Sequence, residues 1–178
     1  MAPDEIVSFW LMPAAREREF FAGVIAELAA RFDAPDFEPH VTLFGGKADE
    51  QRALAALEEI QHSRPLEMEI DRVAYSEVFT KTLFVQFHST PEAAALSDLV
   101  RNAAGLTLDY EFNPHVSLLY SDLPEAEKES LARTLAIPFE RVSFDRVQVI
   151  STRDPITSRK AIDEWRVLGG CELQTSAT

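Results

Sequence analysis

The chain has 178 residues, 46% of them hydrophobic, and its 17 basic against 30 acidic side chains leave a formal net charge of −13. That length supports one substantial core, and no apolar run reaches bilayer-spanning length. The acidic balance argues against a long nucleic acid as partner, because such binders draw on a basic stripe to neutralise phosphates.

The basic residues that do gather, Arg141, Arg146, Arg153, Arg159 and Lys160, read as mixed strand and loop surface before a phosphate-contacting patch. The lone cysteine, Cys171, leaves no internal disulfide and fits a reducing cytoplasm. Met1 to Glu5 carry no basic n-region, so a secretory signal is not expected. The expectation is a cytoplasmic monomer that engages neither membrane nor nucleic-acid polymer.

In chain order, residues 5–12 read as a strand. Pro13 to Glu19 open a helix with Phe20, Phe21, Val24, Ile25, Leu28 and Phe32 at helical spacing. A strand follows around residues 37–43 and closes at Gly45-Gly46. Residues 49–62 form a second helix with Leu54, Leu57 and Ile60 inward. Residues 66–79 alternate in part as a strand, and 82–87 are its antiparallel partner. Thr90 caps a third helix over 91–104, with Pro91 in its first turn. A strand around 112–120 stops at Ser121-Asp122-Leu123-Pro124, and a fourth helix covers 124–135. Residues 137–150 and 160–168 read as closing strands joined by a turn at Asp154-Pro155, with the tail from Leu173 frayed.

Each half thus gives a β-α-β-α-β-β series. Paired strands after each second helix make the sheets mainly antiparallel, hence α+β. Two pseudo-symmetric lobes are expected, sheets facing across a cleft and helices outside. Lobes of this kind can exchange strands, so residues 1–178 are taken as one bilobal domain.

Inside this duplication lies a duplicated motif. Phe37-Glu38-Pro39-His40-Val41-Thr42-Leu43 returns as Phe112-Asn113-Pro114-His115-Val116-Ser117-Leu118, the histidines 75 residues apart. Two matches to a His-apolar-Ser/Thr-apolar pattern arise by accident in roughly one chain in a thousand of this length. On a strand, His40 and Thr42 share one face while Val41 and Leu43 take the other, and His115 and Ser117 repeat the arrangement. A lone strand histidine is more often structural; the repetition favours a pair acting together. Imidazoles titrate near neutrality, so one can serve as base and the other as acid on opposite sides of a phosphorus centre. Thr42 and Ser117 can donate to the non-bridging oxygens. The rate would then follow a bell around the ordinary imidazole range of about 6 to 7. Either histidine could be the base, the orientation of the ester deciding. No metal-ligand spacing accompanies the pair, and no cofactor is expected.

These motifs resemble those that define the 2H phosphoesterase superfamily. Within it the chain is similar to the plant and yeast cyclic phosphodiesterases. Ser8 to Pro13 before a helix resembles their opening strand, Thr82 to Gln86 a strand beside their site, and Phe112 to Tyr120 their second motif, including its tyrosine. The plant enzymes carry additional cysteines that this chain lacks. The resemblance implies a 2H phosphoesterase fold. It also implies hydrolysis of small cyclic phosphates: 2′,3′-cyclic nucleotides to 2′-phosphates, or ADP-ribose 1″,2″-cyclic phosphate. An enzyme acting on RNA ends is the runner-up, and a nucleotide-binding module without catalysis the third. The resemblance adds Tyr120 to the candidate substrate contacts. Trp10 joins as a stacking wall for a base or sugar, and Lys81 as a loop cation within reach of phosphate. His62 and His88, without a Ser/Thr partner in register, are read as structural.

Overall fold

The computed structural model describes residues 5–107 and 110–174. Seven strands, β1 (Glu5–Pro13), β2 (Val41–Gly46), β3 (Leu66–Tyr75), β4 (Leu83–Phe87), β5 (His115–Leu119), β6 (Arg141–Arg153) and β7 (Arg166–Glu172), pair antiparallel throughout. Their order is β2-β1-β6-β3-β4-β5, with β7 also on β6. Five helices accompany them: α1 (Ala15–Phe32), α2 (Glu50–Ile60), α3 (Pro91–Ala104), α4 (Glu125–Thr134) and α5 (Arg159–Asp163). The expected α+β class and antiparallel sheets are what the chain forms.

The lobes are joined through β3. Its first residues, Leu66 to Glu69, pair with β6, and from Ile70 to Tyr75 it pairs with β4, with a register irregularity between Ile70 and Arg72. One lobe is therefore β2-β1-β6 with β7, the other β3-β4-β5. Helices cross as well: α1 packs on β5 and α3 on β2, where Ser97 Oγ donates to the Leu43 carbonyl at 2.6 Å. Phe37 of the first motif stacks on Tyr120 at the end of the second, with ring centroids 3.9 Å apart. Each lobe's core is completed by residues from the other half of the chain.

Alternation sets the faces of β1. Val7, Phe9 and Leu11 are fully buried in the main core. Ile6, Ser8, Trp10 and Met12 take the opposite face, where Trp10 and Met12 pack with Ile150 and Trp165 in a second, smaller cluster.

Helix ends follow their sequence signals. Asp49 accepts from the backbone N–H groups of Gln51 and Arg52 to start α2. Thr90 accepts from Ala93 N at α3, which stops at Gly105 with φ 66°.

Five expectations need correcting. The first motif strand starts at Val41, so Phe37 to His40 lie just ahead of it, and it runs through Gly45-Gly46, which pair with Ser8 and Val7. In α2 the buried residues are Ala53, Ala56 and Ile60, while Leu54 is 38% exposed and Leu57 only partly buried. The helix lies close on its neighbours, so alanines fit the contact face and the leucines flank it. A side chain on Gly169 of β7 would sit 2.7 Å from Leu54 Cδ2. The third strand ends at Tyr75, and Phe79–Lys81 form a 3-10 turn. The segment 160–168 begins as helix α5, with Ile162 buried, before β7 starts at Arg166. The tail holds at its start: Leu173 is buried and its N–H donates to Asp145 O, while Gln174 N donates to Gln61 O and Ser63 O. Residues 175–178 of the expected frayed tail lie outside the described residues.

Candidate active site

Both histidine motifs open on one cavity of about 400 Å³, lined by His40, Thr42, His115, Ser117 and Tyr120 among others. This is the size of a small-ligand pocket. Thr42 pairs with Trp10 of β1, and Ser117 with Phe84 of β4, so in each lobe the motif hydroxyl lies opposite an aromatic residue of the neighbouring strand.

Each imidazole is fixed in the same way. His40 Nδ1 lies 2.7 Å from the Glu38 carbonyl and His115 Nδ1 lies 2.9 Å from the Asn113 carbonyl. A carbonyl only accepts, so Nδ1 carries the proton and Nε2 is left as the basic nitrogen. The intervening prolines, Pro39 and Pro114, fix the backbone φ that places the carbonyl two residues back beneath the ring. Burial lowers both groups from 6.5 to about 4, against the raising effect of these carbonyls. His115 further depresses His40, and the nearby Lys81 further depresses His115. His40 thus senses the second ring, and both are neutral bases near pH 7.

The surroundings differ on the two sides. His40 is 7% exposed, and Trp10 lies flat on it, centroids 3.6 Å apart and planes 5° from parallel. Trp10 Nε1 donates to Ser8 Oγ at 3.0 Å. Because one face of Trp10 is already stacked on the histidine and the residue is only 4% exposed, it is not an open platform for a base. Trp165, which no sequence pattern singles out, stands edge-on to Trp10 and lines the cavity. Its single apolar position in a polar segment gives no periodic signal.

His115 is half-buried, with Phe84 edge-on at 5.6 Å. Ser117 Oγ donates to the Thr80 carbonyl at 2.8 Å. Tyr120 falls just past the end of β5, which lets it reach the cavity despite its odd spacing from Ser117. Burial pushes its phenol well up, and a hydrogen bond with Ser117 opposes this. Tyr110, also without a sequence signal, lines the cavity and donates to the Thr42 carbonyl at 3.3 Å. Lys81 does not line the cavity. Its Nζ sits 4.3 Å over the Phe84 ring, and burial lowers its pKa. His62 and His88 lie outside the cavity lining, with His88 3.7 Å from Asp71.

The basic residues near the C-terminal strands are mostly held by acids: Arg141 by Glu69, Arg153 and Lys160 by Glu164, and Arg159 by Asp33. Among the described residues no three His, Cys, Asp or Glu side chains converge as a ligand set, and no helix is long and apolar enough to cross a membrane.

Known proteins resemble this chain over nearly its whole length. The chain is 26% identical to a cyclic phosphodiesterase of Arabidopsis thaliana over 177 residues, covering 95% of this chain and 96% of the plant protein. It is 28% identical over 196 residues to a 2′,3′-cyclic-nucleotide 3′-phosphodiesterase of Phaeosphaeria nodorum, covering 93% and 98%. Two solved structures share the fold. Escherichia coli LigT in its apo form is 14% identical, with a TM-score of 0.58 over 98% of this chain and 100% of that one. A protein of Thermus thermophilus is 13% identical, with a TM-score of 0.62 over 97% and 100%. Residues 15–155 match the model of the 2′-5′ RNA ligase superfamily, and the chain belongs to that superfamily, the 2H phosphoesterases.

Proposed function

We propose that this protein is a cyclic phosphodiesterase that opens 2′,3′-cyclic nucleotides to 2′-phosphates through its two histidines. The observation that carries the reading is the pair of neutral imidazoles, each pinned at Nδ1 by a carbonyl and sharing one cavity with Thr42 and Ser117. The names of the plant and fungal relatives support the same class of substrate.

Asymmetry in the site distributes the roles. The cavity extends on the His40 side, past Ser8 and Thr152 to Asp154 and Ile156, whereas Thr80 bounds it near Ser117. The nucleoside therefore lies by His40 and water enters by His115. His115, kept neutral in part by Lys81, takes a proton from water as the oxygen attacks phosphorus. The P–O3′ bond breaks opposite, and O3′ takes the proton of His40. An aromatic face favours a cation, so Trp10 supports the protonated form of His40 once the phosphate anion is present. Thr42 donates to a non-bridging oxygen. Ser117 does so by turning its hydroxyl away from Thr80. Tyr120 and Tyr110 close the walls. One chain suffices for every group invoked, and the scheme calls on neither metal nor cofactor.

Phosphorus NMR of the protein with 2′,3′-cyclic AMP in EDTA tests this. The cyclic resonance should give way to a 2′-monoester. An unchanged cyclic resonance overturns the reading, and a 3′-monoester overturns the assignment of the broken bond.

A further inference from the structure

The extension of the cavity away from the histidines has a definite chemical character. Along β1 its floor runs from Trp10 through Ser8 to Ile6, about 13 Å at strand rise. Ser8 pairs with Gly45 on one side, and Ile6 pairs with Thr152 on the other. A Cβ on Gly45 would stand 3.5 Å from Ser8 Oγ, so glycine there leaves the floor open. Thr152 is 4% exposed, lines the cavity, and its Oγ1 has no hydrogen-bond partner. Trp165 Nε1, on the same wall, is likewise unpartnered. A buried polar atom left without a partner is destabilising, which a bound hydrogen-bonding group would relieve.

Charge decides what that group can be. Apart from the two histidines and two tyrosines, Asp154 is the one ionisable side chain among the described residues lining the cavity. The arginines at this end, Arg153 and Arg166, line an adjoining pocket that shares Thr152 and Trp165, and there they are paired with carboxylates: Arg153 with Glu164, and Arg166 with Glu5 and Glu50.

Resting on the function proposed above, we infer that Gly45, Thr152, Asp154 and Trp165 form a specificity subsite. It takes the uncharged part of a nucleoside and rejects a substrate carrying a second phosphate. A mononucleoside 2′,3′-cyclic phosphate fits this wall. ADP-ribose 1″,2″-cyclic phosphate brings a diphosphate against the Asp154 carboxylate, where the neighbouring Arg153 and Arg166 are already paired with acids. The 5′-phosphates of an RNA end meet the same carboxylate.

The test separates the subsite from the hydrolysis. First, kcat/KM is compared for 2′,3′-cyclic AMP and ADP-ribose 1″,2″-cyclic phosphate at low ionic strength. The former should lead by about tenfold or more, and Asp154→Lys should shrink that ratio by about tenfold. Thr152→Val should raise KM for 2′,3′-cyclic AMP more than it lowers kcat. Second, tryptophan fluorescence follows binding of 2′-AMP and of adenosine 2′,5′-bisphosphate. The monophosphate should bind about tenfold tighter, and Asp154→Lys should reverse the order. Asp154→Asn, which removes the charge with little change of shape, should move both ratios in the same direction. Turnover without discrimination, or ratios unmoved in folded Asp154 variants, overturns the subsite alone. Discriminating binding without turnover supports the subsite and overturns the hydrolase. Binding of neither compound overturns both.

Discussion

At the scale of single residues, the burial of the two histidines is the property with most consequence. Neither imidazole keeps its ordinary titration range; both are lowered to about 4. The mechanism needs one neutral and one protonated ring, a state most populated in the free protein near that value. The bell expected from unperturbed imidazoles at about 6 to 7 should therefore be displaced to acid in kcat/KM. A bound phosphate anion favours the imidazolium, so the kcat optimum should lie at higher pH than that of kcat/KM. Coupling between the rings makes these limbs properties of the pair. A kcat/KM that stays flat between pH 5 and 9 would contradict a required imidazolium. His40→Ala and His115→Ala should each lower turnover by about 10² to 10⁴-fold. Near-wild-type rates in either folded variant sink the paired mechanism. Thr42→Ala should lower kcat by about 10 to 10³-fold, the usual effect of losing one oriented donor. Unaltered kinetics would return Thr42 to a purely structural role.

At the scale of elements, the wall around Ser117 depends on a buried lysine that no sequence pattern announced. Lys128 of α4 is 3% exposed. Its Nζ donates to the Ser76 carbonyl at 3.1 Å and to Glu77 Oε1 at 2.6 Å. It thereby fastens the segment leading to Thr80 and Lys81, which Thr82 holds from the other end through Phe79 O and Ser121 O. Lys128→Met keeps most of the volume but leaves the Ser76 carbonyl without this donor. Loss of a buried partner of this kind costs about 1–3 kcal/mol. Urea unfolding should show that loss, and kcat should fall with it because Thr80 no longer holds its place beside Ser117. An unshifted urea midpoint would mean the segment stands without the lysine.

At the scale of the whole molecule, the same two histidines link stability to pH. Their folded pKa is about 4 against 6.5 unperturbed, so between these values the unfolded chain binds more protons. Stability is then full above about pH 6.5 and declines as pH falls toward 4. For the deeply buried His40 the lowering corresponds to about 3 kcal/mol at most. His40→Asn and His115→Asn should each lose less stability than the parent between pH 7 and 4.5, as measured by urea midpoints. Parallel losses in all three proteins would show that the rings are not the linked groups.

Much of this is legible from the chain alone. A period of two puts His115 with Ser117 on β5 and His40, just ahead of β2, with Thr42, and the cavity receives all four. Local chemistry also marks β1, α1, α3 and α4 almost to the residue, because caps, prolines and hydrophobic spacing act within a few positions. What depends on distant neighbours is hidden. The contact face of α2 differs from its leucine pattern because the closeness of packing selects alanine over leucine, and that distance is set by another element. Trp10 reads as a platform for a base, yet its stacking partner comes from a different part of the chain. The acid-shifted histidines, the unpartnered Thr152 and the Asp154 carboxylate at the cavity arise only when β1, β2, β5 and the end of β6 meet. The sequence by itself determined which side chains pair as the proposed reacting groups and the face they share, since an extended chain's period of two is a local property. The tertiary structure decided their protonation and the reach and charge of the cavity beside them. Desolvation and electrostatics depend on everything within several ångströms, and chain order does not record that neighbourhood.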